Sequence, residues 1–163
     1  MTKTTNTKQK ASHKKKNSSI KTWGGLVVIV IILIGAYYYS NSSDLLSAPA
    51  TMASIDNGKK IFNRNCVVCH GENGKGENAT KIGGGKKSNG SQWAPALNGN
   101  AHSWHHKDRE LFNTIKFGSS ISESPMRGFE GKLADAEIVS VLHYVKSLWP
   151  MEIKIERARN PHH

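Results

Sequence analysis

The chain holds two cysteines, and both fall inside "CVVCH", so that Cys66, Cys69 and His70 set two thiols and an imidazole within five consecutive residues. No other feature restricts the fold as tightly, because each chemistry that uses such a cluster demands different surroundings. A disulfide, a redox dithiol, part of a zinc site and covalent attachment of a haem all begin from this spacing. A redox dithiol belongs beside a strand–helix unit, whereas here a helical-looking "SIDNGKKIF" precedes the motif and a glycine-rich loop follows it. A structural zinc needs four ligands, and without a second cysteine pair it would have to recruit His102, His105 or His106. Haem attachment uses the three residues together: each thiol adds to one vinyl group of the porphyrin, and the adjacent imidazole turns under the iron as proximal ligand. The spacing and its flanks fit this last chemistry best, with an accidental motif or a zinc site as the alternatives.

Such attachment belongs to an exported domain, and the N-terminus carries a matching signal. Residues 1–22 form a basic tail with seven lysines and no acid, too polar to fold alone. From Trp23 to Tyr39, "WGGLVVIVIILIGAYYY" runs without a charge. As a helix it would be about 25 Å long, close to the roughly 30 Å of a bilayer's hydrocarbon core, with aromatic anchors at both ends. The expectation is a single transmembrane anchor over 23–39. Lysines before the span hold that side in the cytoplasm and place the rest on the periplasmic face of the inner membrane. A cleaved signal peptide is the competitor, with Ala48 and Ala50 in "SAPA" as a small-residue pattern, but that site lies well beyond the apolar run.

Residues 40–53 read as a linker, 54–150 as one domain and 151–163 as a charged C-terminal tail. About one hundred residues suffice for a small domain with a modest core, and a large cofactor would complete it. From residue 51 onward there are 16 lysines and arginines against 11 acids. The chain's net charge of +11 therefore comes mostly from the seven N-terminal lysines, and argues for membrane topology rather than nucleic-acid binding. No second C-x-x-C-H is present, so one haem is expected.

Three stretches carry helical spacing. Around 54–66, Ile55, Ile61, Phe62 and Cys66 share related faces, with Ser54 or Asp56 as a cap. "DRELFNTIKFG" at 108–118 opens with acids and stops at Gly118. In "ADAEIVSVLHYVKSLWP", Ile138, Val141, Leu142, Val145 and Leu148 recur at helical spacing before Pro150. Strand alternation is absent, and the expected fold is all-α.

The ordered pieces "GKKIF", "CVVCH", "APALNG", "SPMRGF" and "LADAEIVSVLHYVKSLWP" resemble the single-haem cytochrome c family with histidine–methionine ligation. The resemblance covers roughly Ser54 to Pro150. It implies a cytochrome c fold wrapped around one covalent haem c, with the first and last helices crossing where Gly58 and Phe62 meet Val141 and Tyr144. It implies Met126 as the sixth iron ligand, a neutral thioether that favours ferrous iron, and Pro95 as the residue whose carbonyl accepts the ring N–H of His70. Many relatives carry proline after the methionine; here Arg127 stands there, with Pro125 before it.

"AHSWHH" at 101–106 offers His102, His105 and His106 as metal donors or as rivals to Met126, against the plainer reading of solvent-facing loop histidines. The resemblance implies a one-electron carrier of a respiratory or periplasmic redox chain rather than an enzyme. Its redox-protein partners would be a dehydrogenase, a quinol-oxidising complex or a terminal oxidase. The alternative is a haem enzyme or sensor in which a labile Met126 gives way to peroxide or a small gas.

Overall fold

The computed structural model describes residues 19–160, with side chains described over 24–38 and 45–160. The chain divides into two compact units, Met1–Ser40 and Asn41–His163, each taken by itself. The first contains most of helix α1 (Ser19–Ser47), whose apolar side chains from Leu26 to Ile34 are each half exposed or more. The side chains of Trp23 and Tyr39, the ends of the expected span, lie outside the described residues. Among those described, no helix is long and apolar enough to cross a membrane.

The second unit is helical: α2 (Met52–Asn65), the single-turn α3 (Val67–His70), α4 (Asp108–Phe117), α5 (Asp135–Ser147) and α6 (Met151–Arg159), with 3₁₀ turns at Glu72–Gly74 and His102–His105. Among the described residues, β pairing is confined to two isolated bridges, Lys86 with Gln92 and Gly118 with Arg127. Helix α2 starts earlier than its apolar pattern indicates. Thr51 caps it, taking the N–H of Ser54 at 3.1 Å while the Ser54 hydroxyl takes the N–H of Thr51 at 2.9 Å, a reciprocal pair that satisfies two otherwise orphaned donors. Helices α4 and α5 each use a first-turn glutamate the same way, Glu110 accepting from Lys107 N–H and Glu137 from Ala134 N–H. Gly118 ends α4 at φ 94°.

Helices α2 and α5 cross at backbone contact. A Cβ on Gly58 would sit 1.9 Å from the Ser140 carbonyl oxygen, so glycine is the residue that permits the approach. One turn on, Phe62 meets Tyr144 edge-to-face with centroids 5.3 Å apart, a favoured aromatic geometry. Ile61, Phe62, Val141, Tyr144, Val145 and Trp149 bury the core there. A second cluster of Phe112, Ile138, Val139 and Leu142 joins α4 to α5.

Two expected boundaries shift. Residues 40–53 are not a plain linker: α1 continues through Ser47, and Leu45 and Leu46 pack against the second cluster, because two adjacent leucines gain more by covering Phe112 and Leu142 than by staying in water. Within the expected charged C-terminal tail, Met151–Arg159 form a helix. Helix α6 docks through Arg157, which donates to the Trp104 and His106 carbonyls and to Asp108, and lies 5.2 Å over the Trp149 ring. A guanidinium offers five donors, and single-residue charge counting hides that reach.

Candidate cofactor site

The end of α2 and the single turn of α3 carry the cysteine–histidine motif. Cys66 both closes α2, donating to Phe62 O at 2.8 Å, and opens α3, accepting from His70 N–H at 2.8 Å. Both cysteines are free thiols, Cys66 half-buried and Cys69 exposed. Burial, reinforced by the neighbouring Cys69, pushes the Cys66 thiol up to about 11, so the free thiol is neutral at pH 7.

His70 is buried, and its Nδ1 lies 2.9 Å from the Pro95 carbonyl oxygen. A carbonyl only accepts, so Nδ1 carries the proton and Nε2 keeps a bare lone pair. Burial holds the ring below the ordinary histidine range, which keeps it the neutral imidazole that a metal binds. Pro95 is set by two backbone bonds between the loop after α3 and the "APAL" segment, Glu77 to Ala94 O at 3.0 Å and Leu97 to Gly74 O at 2.7 Å, while Gly76 closes the loop on His70 O at 2.7 Å.

Met126 comes from the loop between α4 and α5. Ser119 N–H donates to its carbonyl at 3.1 Å, and its own N–H donates to Ser124 Oγ at 3.2 Å. Behind it, a Cβ on Gly128 would lie 2.6 Å from Lys116 O, so the returning strand presses directly on the end of α4. Arg127 pairs with Gly118 across this narrow bridge.

Cys66, Cys69, His70, Pro95 and Met126 line one cavity of about 220 Å³, and a second of about 330 Å³ adjoins it. His70, Trp93, Pro95, Ser124 and Met126 belong to the walls of both, so the histidine and the methionine border the same two adjoining spaces. The second cavity also takes in Leu111, Ile115, Leu142 and Val145 from α4 and α5. Ser103 stands in its wall almost wholly buried, and its hydroxyl oxygen has no hydrogen-bond partner among the described residues. Buried hydroxyls without a partner are rare in folded chains, and one in the wall of a largely apolar cavity fits a ligand that is mostly apolar and carries a polar group. The residues present therefore fit a haem, with two thiols and a neutral imidazole at one side and a thioether facing the same space.

The three loop histidines behave differently. His102, His105 and His106 are exposed; His105 stacks on Trp104 at 3.6 Å, and His106 pairs with Glu110. Among the described residues no cluster of three or more His, Cys, Asp or Glu could hold a metal ion. Trp104 packs on the α2–α5 core, while His102, Ser103 and His106 supply the cavity wall. Trp93 and Ser103 were not distinguished by sequence pattern. The available signals were the tryptophan directly before "APALNG" and a small hydroxyl residue inside a histidine–tryptophan run.

Residues 55–149 match the cytochrome c family. The chain belongs to this family of electron-transfer domains built on a covalent c-type haem. It is 31% identical over 114 residues to the cbb3-type cytochrome c oxidase subunit FixP of Bradyrhizobium diazoefficiens, covering 65% of this chain and 34% of that one. It thus spans about a third of that relative's length. Among solved structures, the reducing HAO-like protein complex of Kuenenia stuttgartiensis aligns with a TM-score of 0.46 at 24% identity, over 63% of this chain and 47% of that one.

Proposed function

We propose that the protein is a one-electron carrier that holds a single haem by thioether bonds from Cys66 and Cys69, with His70 and Met126 as axial ligands, tethered to the cytoplasmic membrane with its haem domain on the periplasmic side. The observation that carries this reading is the presence of His70 and Met126 in the walls of the same two adjoining cavities, with both cysteines at one edge. Haem, when bound, supplies a one-electron iron couple. The chain's own part is to hold His70 neutral with Nε2 free, to hold Met126 where external molecules would otherwise enter, and to wall the space with Leu111, Ile115, Leu142 and Val145. A neutral thioether opposite an imidazole favours the reduced state and raises the potential relative to two histidines.

The membrane anchor is supported by the charge-free run from Trp23 to Tyr39 behind seven lysines. The partners are redox proteins, in keeping with a relative that is an oxidase subunit. Carbon monoxide added to the reduced protein at neutral pH tests the ligation: no prompt spectral change is expected, and rapid stoichiometric binding would overturn simple transfer in favour of an open-site enzyme or sensor. Fractionation with mass determination of the haem-stained band tests the anchor. Full-length chain requiring detergent is expected, and release by osmotic shock of a chain starting near Thr51 would restore the cleaved signal peptide.

A further inference from the structure

The structure assigns Glu77, clamped by Lys87, as the positioning residue that holds the Pro95 carbonyl against His70; the assignment rests on the reading of His70 as the proximal ligand. Glu77 engages the residue before Pro95 twice. Its backbone N–H donates to Ala94 O at 3.0 Å, and its carboxylate Oε2 accepts from Ala94 N–H, also at 3.0 Å. The other carboxylate oxygen, Oε1, pairs with Lys87 Nζ. The N–H and the C=O of Ala94, in the two peptide units that flank its Cα, are therefore both pinned to one residue, and Ala94 is itself buried. Its neighbour Pro95 contributes the carbonyl that lies 2.9 Å from His70 Nδ1.

Lys87 is held in turn. Its ammonium lies 4.6 Å from the centroid of the Trp93 ring, its backbone N–H donates to Ser91 O at 2.7 Å, and Trp93 N–H donates to Gly85 O at 2.8 Å. The ion pair sits in a partly desolvated corner, with side chains 21% and 27% exposed, and not on a fully solvated face where such a pair contributes little. The depressed protonation of Glu77, caused first by Lys87 and then by Ala94 N–H, accords with a carboxylate that stays charged. Gln92 N–H reaches Glu123 O at 3.3 Å, so the same loop also touches the segment that leads to Met126.

A ring N–H donated firmly to a carbonyl makes the imidazole a stronger donor to iron and so favours the ferric state. Loosening the clamp raises the potential. The charge of Glu77 acts on the potential too, so the ring proton must be read directly. The experiment is NMR of the reduced holoprotein, following solvent exchange of the His70 Nδ1 proton, alongside potentiometry on Glu77→Ala, Glu77→Gln and Lys87→Met.

Loss of a charge-assisted bond corresponds to about a tenfold change or more. Glu77→Ala is expected to speed ring-proton exchange by about that factor and to raise the potential. Glu77→Gln, whose amide oxygen still accepts from Ala94 but whose NH2 no longer pairs with Lys87, is expected to speed exchange no more than Lys87→Met does while still raising the potential through lost charge. Lys87→Met should speed exchange by a smaller factor, and it decides the matter if Glu77→Ala does not accumulate as holoprotein. Unchanged exchange in Glu77→Ala, or in Lys87→Met where that variant decides, overturns the assignment. If wild-type His70 ring signals lack the displacement that an iron-bound imidazole feels under the macrocycle, the ligation reading itself fails, a distinct result.

Discussion

The α2–α5 crossing and the wall around His70 and Met126 are held by different forces. At the crossing, Gly58 lies against the Ser140 carbonyl and Phe62 against Tyr144, and stability comes from shape and apolar burial. Around the cofactor space, the loop after α3, the "APAL" segment and the Met126 loop are joined chiefly by backbone and side-chain hydrogen bonds, with Ala94, Ala96 and Leu97 as the apolar contacts of the "APAL" segment. The first region resists any added volume. The second resists loss of donors and acceptors, and its effects are to be read in ligand geometry more than in unfolding.

The largest effect should come from Gly58→Val. A Cβ already meets the Ser140 oxygen at 1.9 Å, so the helices must part, at a cost of about 3 kcal/mol or more. Denaturant unfolding and the yield of holoprotein should both record it. A wild-type midpoint would break the claim that this contact is tight.

Asp108→Ala should cost less, about 1–2 kcal/mol. Asp108 takes Lys146 at 2.6 Å and Arg157 at 2.8 Å, tying α6 and α5 to the start of α4. Limited proteolysis should find α6 released first, and an unaltered cleavage pattern would return Met151–Arg159 to the status of a loose tail. Thr51→Ala removes one partner of the reciprocal cap and should cost about 1 kcal/mol, measured as a shift in thermal midpoint.

The smallest effect concerns pH. His143 lies on α5, buried, with Nδ1 2.9 Å from Ser54 Oγ, and burial first, then Lys146, holds it below its ordinary 6.5. Above pH 6.5 it is neutral in both states and contributes no pH dependence. Below that value the unfolded chain takes up the proton first, so stability falls as pH drops toward the folded value. Urea midpoints at pH 7.5 and 5.5 should differ more for wild type than for His143→Gln. Equal slopes would remove His143 from the acid side of the stability profile.

The same contrast explains what the sequence made legible. The three helices of the domain could be read because apolar spacing is local: Ile61 and Phe62, Leu111, Phe112 and Ile115, and Ile138 through Leu148 announce their own buried faces. Cys66, Cys69 and His70 stood out because two thiols and an imidazole within five residues are a local signal, and the structure sets all three on one cavity. Met126 and Pro95 needed a resemblance, since neither carries a local signal, and both now line the same cavity as the motif. Glu77, Trp93 and Ser103 were not legible: Glu77 acts through Lys87 and Ala94, 10 and 17 residues away, and Trp93 and Ser103 matter only as parts of a wall that distant segments assemble. The docking of Leu45, Leu46 and α6 was missed for the same reason.

The central claim is that two loops and one helical turn bring His70 and Met126 to a single space as the two axial ligands of one haem. The optical spectrum of the ferric holoprotein tests it most directly, through the weak sulfur-to-iron band at the red end of the visible range. Wild type and Met52→Ala should show the band, and Met126→Ala should lose it, with haem still attached through Cys66 and Cys69 and a lower potential. Persistence of the band in Met126→Ala would contradict the account and move the sixth ligand elsewhere.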